Sequence, residues 1–409
     1  MRSAQTIRFA PHPIKSRHIC VVTETYPPEI NGVSFTLARL IQGLRLLGHY
    51  VSIVRPRQPD RPAATLDIDS TETLLPSVPL PGYSGLRFGL PAGRALREQW
   101  SDNRPDVIYI ATEGPLGWSA LRAALDLDLT VFSGFHTSFD RYSHYYHLGW
   151  LQPWIARYLC KFHNRTHGTL VASPDLRDEL CAMGIKNVSI LGRGVDGELF
   201  NPARRSASVR HAWRVSDNDI VALYVGRVAA EKNIALAIKA YHAMRQVESG
   251  AKFVLVGDGP LRASLQEQHP DVIFCGAQQG EELARTYASA DVFLFPSETE
   301  TFGNVTLEAM ASGLVVVAFD YAAARMHITA GQSGVLVPFG DSSGFVAAAA
   351  KLARAPQSLF HIRQQARSYA TRLDWQHIIH RFATLLLDGI EDEARERLPA
   401  DVLDALPAG

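Results

Sequence analysis

Two glutamates, an arginine, a lysine and a histidine are the residues whose types and surroundings could do chemistry. Glu300 and Glu308 stand eight apart in SETETFGNVTLEAMASG (Ser297–Gly313), directly after the apolar run DVFLFP. The pattern puts Glu300 in a loop and Glu308 about a turn into a helix opened by Gly303 and Asn304. Backbone N–H groups at such a helix start, with the positive end of its dipole, suit a phosphate. Glu308 can then accept hydrogen bonds from ribose hydroxyls. Glu300 is placed to bind hydroxyls of a group beyond the phosphates. Taken alone, the spacing fits a capped helix with two solvated glutamates equally well.

Arg227 and Lys232 lie in YVGRVAAEKN (Tyr224–Asn233), after another apolar run, where Gly226 allows a tight turn. Two cations there would neutralise a diphosphate, and arginine can do so with a fork of donors. Asn31 and Gly32 sit in TETYPPEINGV (Thr23–Val33) and offer a small approach to a phosphate from a facing domain, although most Asn-Gly pairs are merely turns. His136, in SGFHTSFDRY (Ser133–Tyr142), could bond a sugar hydroxyl or handle a proton. A lone histidine is more often structural, and His144 and His147 have no comparable context.

Several chemistries are disfavoured. There is no G-x-S-x-G elbow for a serine hydrolase and no G-x-G-x-x-G after the first strand for a dinucleotide. Asp67–Asp69 and Asp126–Asp128 resemble a metal-binding D-x-D, but neither follows a strand, so both read as surface acids. Cys20, Cys160, Cys181 and Cys275 form no CxxC pair, which points to buried free thiols rather than disulfides or zinc. Lys+Arg and Asp+Glu both number 41, a balance that argues against a dedicated nucleic-acid binder. No signal peptide or spanning segment is visible, and the longest apolar stretch is near Leu314–Phe319. A cytoplasmic location is expected, with any membrane contact peripheral.

The elements that must hold these residues alternate along the chain. Strands are expected at His18–Thr23, Val51–Val54, Asp106–Ile110, Thr130–Gly134, Thr169–Ala172 and Val188–Leu191. A second series covers Ile220–Val225, Phe253–Val256, Val272–Cys275, Val292–Phe295, Leu314–Ala318 and Val335–Pro338. Helical patterns fill most gaps, which gives parallel sheets covered on both faces. An irregular Pro-rich insert is expected over 61–100, as a lid or contact surface. The expected organisation is an extension (1–17), an N-terminal α/β domain (18–197), a linker (198–218), a C-terminal α/β domain (219–374), a helix crossing back (375–390) and a tail (391–409).

In combination, GR…EKN, LVGDGPLRASL (Leu255–Leu265), CGAQQGEEL and PSETETFGNVTLEAMASG resemble glycosyltransferase family 4 over roughly residues 18–390. The resemblance implies a GT-B fold, two Rossmann-like domains facing across a cleft, and retaining transfer from a nucleotide-diphosphate sugar to a hydroxyl without a metal. Carried over by position, it implies that Arg227 and Lys232 bind the donor diphosphate. Glu308 would hold the ribose and Glu300 the donor sugar. Phe302, Gly303, Asn304 and Val305 would form the loop against sugar and phosphates. Gly32 would lie near the β-phosphate and His136 near the sugar. IATEGPLGWSA (Ile110–Ala120), GFHTSFDRYS and LGRGVDGELFNP (Leu191–Pro202) are similar to the branch with diacylglycerol glycosyl-, sulfoquinovosyl- and phosphatidylinositol or related mannosyltransferases, which makes a lipid acceptor an expectation. UDP- and GDP-sugars stay open. The sequence departs from the family where Ala322-Ala323 replaces a common glycine pair, at Arg325-Met326-His327, and where Arg193 replaces an asparagine.

The expected mechanism is front-face attack, in which the departing phosphate oxygen takes the acceptor's proton. Alternatives are a GT-B nucleotide-sugar epimerase or phosphorylase, and a non-catalytic sugar-nucleotide module. Trp150, Trp154, Ile155, Tyr158, Leu159 and Phe162 mix with Arg157, Lys161, His163 and Arg165, and the insert adds Tyr83, Leu86, Arg87 and Phe88. That mixture suits an anionic lipid surface, and an ordinary buried helix with charged edges equally.

Overall fold

The computed structural model describes residues 16–27, 29, 32–58, 71–79, 87–136, 152–216, 218–299 and 303–396. Nine strands come first: β1 (His18–Val22), β2 (Tyr50–Pro56), β3 (Glu72–Leu75), β4 (Ser77–Pro79), β5 (Arg87–Gly89), β6 (Val107–Ile110), β7 (Val131–Gly134), β8 (Gly168–Val171) and β9 (Val188–Ile190). Six follow: β10 (Val221–Val225), β11 (Lys252–Val256), β12 (Ile273–Gly276), β13 (Val292–Phe295), β14 (Val315–Phe319) and β15 (Val335–Val337). Most of the strands inside each sheet are apolar throughout, because helices cover both faces. In β1, Ile19 and Val21 enter one core, while Cys20 and Val22 enter the core on the other face.

The first sheet has the order β3-β2-β1-β6-β7-β8-β9, and every pairing is parallel. The second has the order β12-β11-β10-β13-β14-β15, again parallel throughout. Chain order therefore reverses between β1 and β6 in one sheet and between β10 and β13 in the other. Ligands of doubly wound sheets bind beyond the carboxyl ends of strands at such a reversal. The TETYPP loop follows β1, GRVAAEKN follows β10 and SETETFGN follows β13, so the motifs lie at the two switch points.

The chain passes between the sheets twice, side by side. Val195 N–H donates to Leu373 O at 2.8 Å, and Val195 bridges to Asp374. Asp374 then caps the helix Trp375–Glu396, its Oδ1 accepting from His377 N at 2.9 Å. Trp375, Phe382, Ala383 and Leu386 of this helix belong to the core of the first sheet. The helix lies close on the helix Gly32–Leu46, where a Cβ on Gly43 would stand 2.2 Å from Ile379 Cδ1.

Three expectations need correction. The 61–100 insert is partly regular: β3 pairs with β2, β4 and β5 form an antiparallel hairpin, and the helix Gly93–Asp102 buries Leu96 and Trp100. The stretch 198–218 holds its short helix, Ala207–Ala212, but it is built into the second domain rather than hung between two. Phe200 and Trp213 enter the second core, and buried Arg210 donates to Ser289 O at 2.8 Å and pairs with Asp291 at 3.4 Å. Buried guanidinium needs such partners to offset its desolvation. Of the free thiols, Cys20 is buried but Cys181 is exposed, because Leu180 is the buried residue of its helix Pro174–Met183.

Candidate active site

The loops after β10 and β13 come together at the second switch point. At the end of β10 the backbone turns at Gly226, and a Cβ on neighbouring Gly257 (φ 141°) would stand 1.9 Å from the Gly226 carbonyl oxygen. Two strand ends can approach this closely only without side chains. A 3₁₀ turn, Ala230–Lys232, then leads through Asn233 into the helix Ile234–Val247. Lys232 reaches across: its Nζ donates to Thr299 O at 2.6 Å and Ser297 Oγ at 3.3 Å, 5.9 Å from the Phe295 ring centroid. Asn233 Nδ2 donates to Glu298 Oε1 at 3.0 Å, a second tie between the same loops. Arg227, 49% exposed, stands 3.7 Å from Glu231.

Gly303 precedes the helix Asn304–Ala311 with φ 66°, and a Cβ there would lie 1.8 Å from Ala323 Cβ. Glycine is required twice over, by backbone angle and by space. Ala322 holds φ 47° without glycine's freedom, a strained position. Asn304 carries a buried Oδ1 without a hydrogen-bond partner among the described residues, and Val305 packs on the second core. Glu308 accepts from Tyr287 Oη at 3.1 Å, and burial pushes its carboxyl up to about 7. Glu300, Phe302 and Asn31 lie outside the described residues, as do His144, His147, Trp150, Tyr83, Leu86, Asp67 and Asp69. Gly32 opens the first helix and is exposed.

The opposite side is built differently. His136 is buried beyond β7, its Nε2 3.1 Å from Tyr109 Oη on β6. Gly134 makes the room, since a Cβ there would stand 2.2 Å from that hydroxyl. Desolvation, then the charges of Arg193 and His163, hold His136 well below its ordinary value, so its imidazole is neutral. Phe382 of the returning helix meets Tyr109 edge-on at 4.9 Å. Arg193 is 2% exposed, donates to Leu191 O and Gly192 O at 3.2 Å, and burial brings its guanidinium down to about 10.

Glu24, in the loop after β1, is a buried carboxyl at the first switch point that the spacing rules did not single out. Its carboxyl accepts from Leu116 N at 3.1 Å and from Gly89 N, while its own N–H donates to Thr112 Oγ1 at 2.9 Å. It thereby joins the β1 loop, the β5 hairpin and the start of the helix Pro115–Asp126 at the first switch point. Burial, with Glu113 nearby, raises it to about 7 despite three backbone N–H donors. Tyr109, Tyr287 and Glu24 carry no spacing signal; each is legible only once strands adjoin.

The aromatic and basic helix spans Gln152–His163. Trp154, 68% exposed, Tyr158, Arg157 and Lys161 face outward, and Lys161 Nζ lies 5.9 Å from the Trp118 ring centroid. Leu159, Phe162 and His163 do not: they are buried, with His163 Nδ1 2.9 Å from Ser133 Oγ. Arg87 is used within its hairpin, donating to Ser77 Oγ at 2.7 Å and Ser77 O at 2.9 Å. Asp126 pairs with Arg97 at 2.9 Å on the surface. No helix among the described residues is long and apolar enough to cross a membrane.

Known proteins share this arrangement. The family model "Glycosyltransferase Family 4" matches residues 30–199, and "Glycosyl transferases group 1" matches residues 219–355. A GDP-mannose-dependent alpha-mannosyltransferase of Mycobacterium tuberculosis (strain CDC 1551 / Oshkosh) is 33% identical over 360 residues, 86% of this chain and 89% of the relative. The sulfoquinovosyl transferase SQD2 of Arabidopsis thaliana is 29% identical over 376 residues, 88% and 72% of the two chains. Among solved structures, Anabaena Alr3699/HepE in complex with UDP and glucose superposes with TM-score 0.69 at 19% identity, covering 90% of this chain and 99% of that one. The sucrose-phosphate synthase of Thermosynechococcus elongatus gives TM-score 0.72 at 18% identity, covering 90% and 98%. These likenesses identify the two facing sheets as a GT-B fold. The chain is a glycosyltransferase and belongs to glycosyltransferase family 4.

Proposed function

We propose that this glycosyltransferase moves mannose from GDP-mannose to a hydroxyl of a membrane lipid, with retained anomeric configuration. The observation that carries the donor is the set of GDP-mannose-dependent alpha-mannosyltransferases at 32–33% identity, each covering more than 80% of both chains. Support for a lipid acceptor comes from relatives named for diacylglycerol and phosphatidylinositol products, at 27–29% identity. A second reading, glucosyl transfer to diacylglycerol, rests on the alpha-monoglucosyldiacylglycerol synthases.

In this reading Lys232 and Arg227 take the diphosphate, with the N–H groups of the helix Asn304–Ala311 below it. Lys232, held by Thr299 and Ser297, is preorganised for the charge that develops on the leaving group. Glu308 takes the ribose, Glu300 the sugar, and Gly32 approaches the phosphates from the facing domain. Neutral His136 accepts or donates a hydrogen bond to the sugar without adding a cation beside the oxocarbenium-like centre. The acceptor attacks the face from which the diphosphate departs, and a phosphate oxygen takes its proton. No metal takes part in transfer. Trp154, Arg157, Lys161 and Phe88 bring the acceptor side to an anionic bilayer at the inner face of the membrane.

The test offers radiolabelled GDP-mannose and UDP-glucose, in the presence of chelator, with anionic vesicles containing diacylglycerol or phosphatidylinositol. Label entering the lipid phase from GDP-mannose is expected. Label from UDP-glucose alone would replace the first reading by the second, and free sugar or no turnover would sink both. Trapping a sugar on Glu300 would overturn front-face attack. Loss of vesicle co-sedimentation is expected for a Trp154→Ala, Lys161→Glu variant.

A further inference from the structure

We propose that His242, His269 and Asp271 form a binding site for a transition-metal dication, at the edge of the second sheet away from the donor crevice. Their ligand atoms all lie within 4.8 Å of one another. His242 is on the helix Ile234–Val247, and His269 and Asp271 lie between the helix Arg262–Gln268 and β12. That connection is fixed by its own backbone, with His269 N donating to Leu265 O at 2.9 Å and Val272 N to His269 O at 3.1 Å. His242 Nε2 already meets Asp271 Oδ2 at 3.1 Å, and the two imidazole centroids are 5.9 Å apart.

Two imidazoles and one carboxylate make a borderline-soft donor set. It suits Zn²⁺, Co²⁺, Ni²⁺ or Cu²⁺ and not Mg²⁺ or Ca²⁺, which want oxygen. Bonds of about 2.0–2.2 Å would draw the three ligand atoms closer than they now stand. The side chains of His242 (42% exposed) and Asp271 (30% exposed) have room to rotate that far. The obstacle is Arg245, whose Nη1 donates to the same Asp271 Oδ2 at 3.0 Å. Binding must displace both that guanidinium and the proton between His242 and Asp271. Arg245 thus sets the affinity by competing as a cation of the chain's own.

The place of the site decides its role. The helix Ile234–Val247 begins beside Lys232 at the crevice and runs away from it, and Asp271 precedes the amino end of β12. The ion would pin the far end of that helix to the sheet and leave sugar transfer to the crevice. The full chain, stripped with chelator and dialysed, is titrated with Zn²⁺ and Co²⁺ by calorimetry, visible absorption and thermal melting. One ion per chain and a higher melting temperature with Zn²⁺ are expected. His242→Ala and His269→Ala should each weaken binding about tenfold or more. Arg245→Gln should tighten it. All three should melt like the wild type without metal and keep their turnover. No zinc-dependent shift in the wild type, or a shift that survives in the His242→Ala, His269→Ala double variant, would overturn the site.

Discussion

The two sheets share one topology but differ in where their cations sit, although each also holds a carboxyl that burial raises to about 7, Glu24 in the first and Glu308 in the second. At the second switch point the cations stay near the surface: Lys232 is held by a carbonyl and a hydroxyl, and Arg227 is half-exposed. At the first, the titratable groups are buried: Glu24, His136, Arg193 and Tyr109 sit under 9% exposed around β1, β6 and β7. In the proposed role, a diphosphate arrives charged and meets cations that are already partly solvated. Burial favours the uncharged forms of Glu24, His136 and Arg193 there, though Arg193, brought down only to about 10, stays a buried cation at neutral pH.

The largest break in this comparison is Lys232→Ala. The proposed role predicts a hundredfold or greater loss of kcat/KM, about 2.7 kcal/mol or more, with little change in melting temperature. A loss below about threefold, read with saturating acceptor, would remove Lys232 from the diphosphate site. Next comes Glu24→Gln. The folded carboxyl near 7 binds its proton more tightly than the unfolded one near 4.5, so its stabilisation is complete below about 4.5 and is lost as pH rises to about 7. Replacing it by the neutral amide should flatten that part of the pH–stability profile by of order 2–3 kcal/mol. Denaturant melts at pH 5 and pH 8 measure it, and an unchanged slope would show that Glu24 is not desolvated. The smallest effect is expected at Arg325. It pairs with Asp320 at 3.0 Å and reaches Asp175, on a helix of the first domain, at 3.5 Å. Both partners are about half exposed, so a double-mutant cycle of Arg325→Ala and Asp175→Ala should give about 0.5 kcal/mol or less. Coupling above about 1 kcal/mol would mean the domains are latched there.

The same contrast governs what could be read from sequence. Strands such as VALYV and VVVAF were legible because burial on both faces leaves an unbroken apolar run. The loops after β10 and β13 stood out in the sequence because glycines and cations follow apolar runs there in a fixed order. The helix Gly93–Asp102 was missed, since it buries only Leu96 and Trp100 and follows a run of prolines. The edge strand β3, ETLL, buries only Leu75 and carries no alternation to find. For Leu159, Phe162 and His163 the sequence fits a lipid face and a buried helix equally, and the helix phase turns them inward. Arg193 stood out as a family departure, but its meaning came only from lying near Tyr109 and His136. Buried polar networks join residues remote in sequence, and spacing within one segment holds no trace of them.

The helix that returns from the second sheet to the first has a consequence for biosynthesis. Tyr109 is finished on one side by Phe382, and Leu37, Leu40 and Leu44 share their core with Trp375 and Leu386. A ribosome delivers the first sheet long before it delivers that helix. Until then the domain made first must wait with an apolar face uncovered, and the ring that bonds His136 lacks its backing. The Tyr109 ring beside His136 gains this packing partner late, although both residues are among the early ones to emerge.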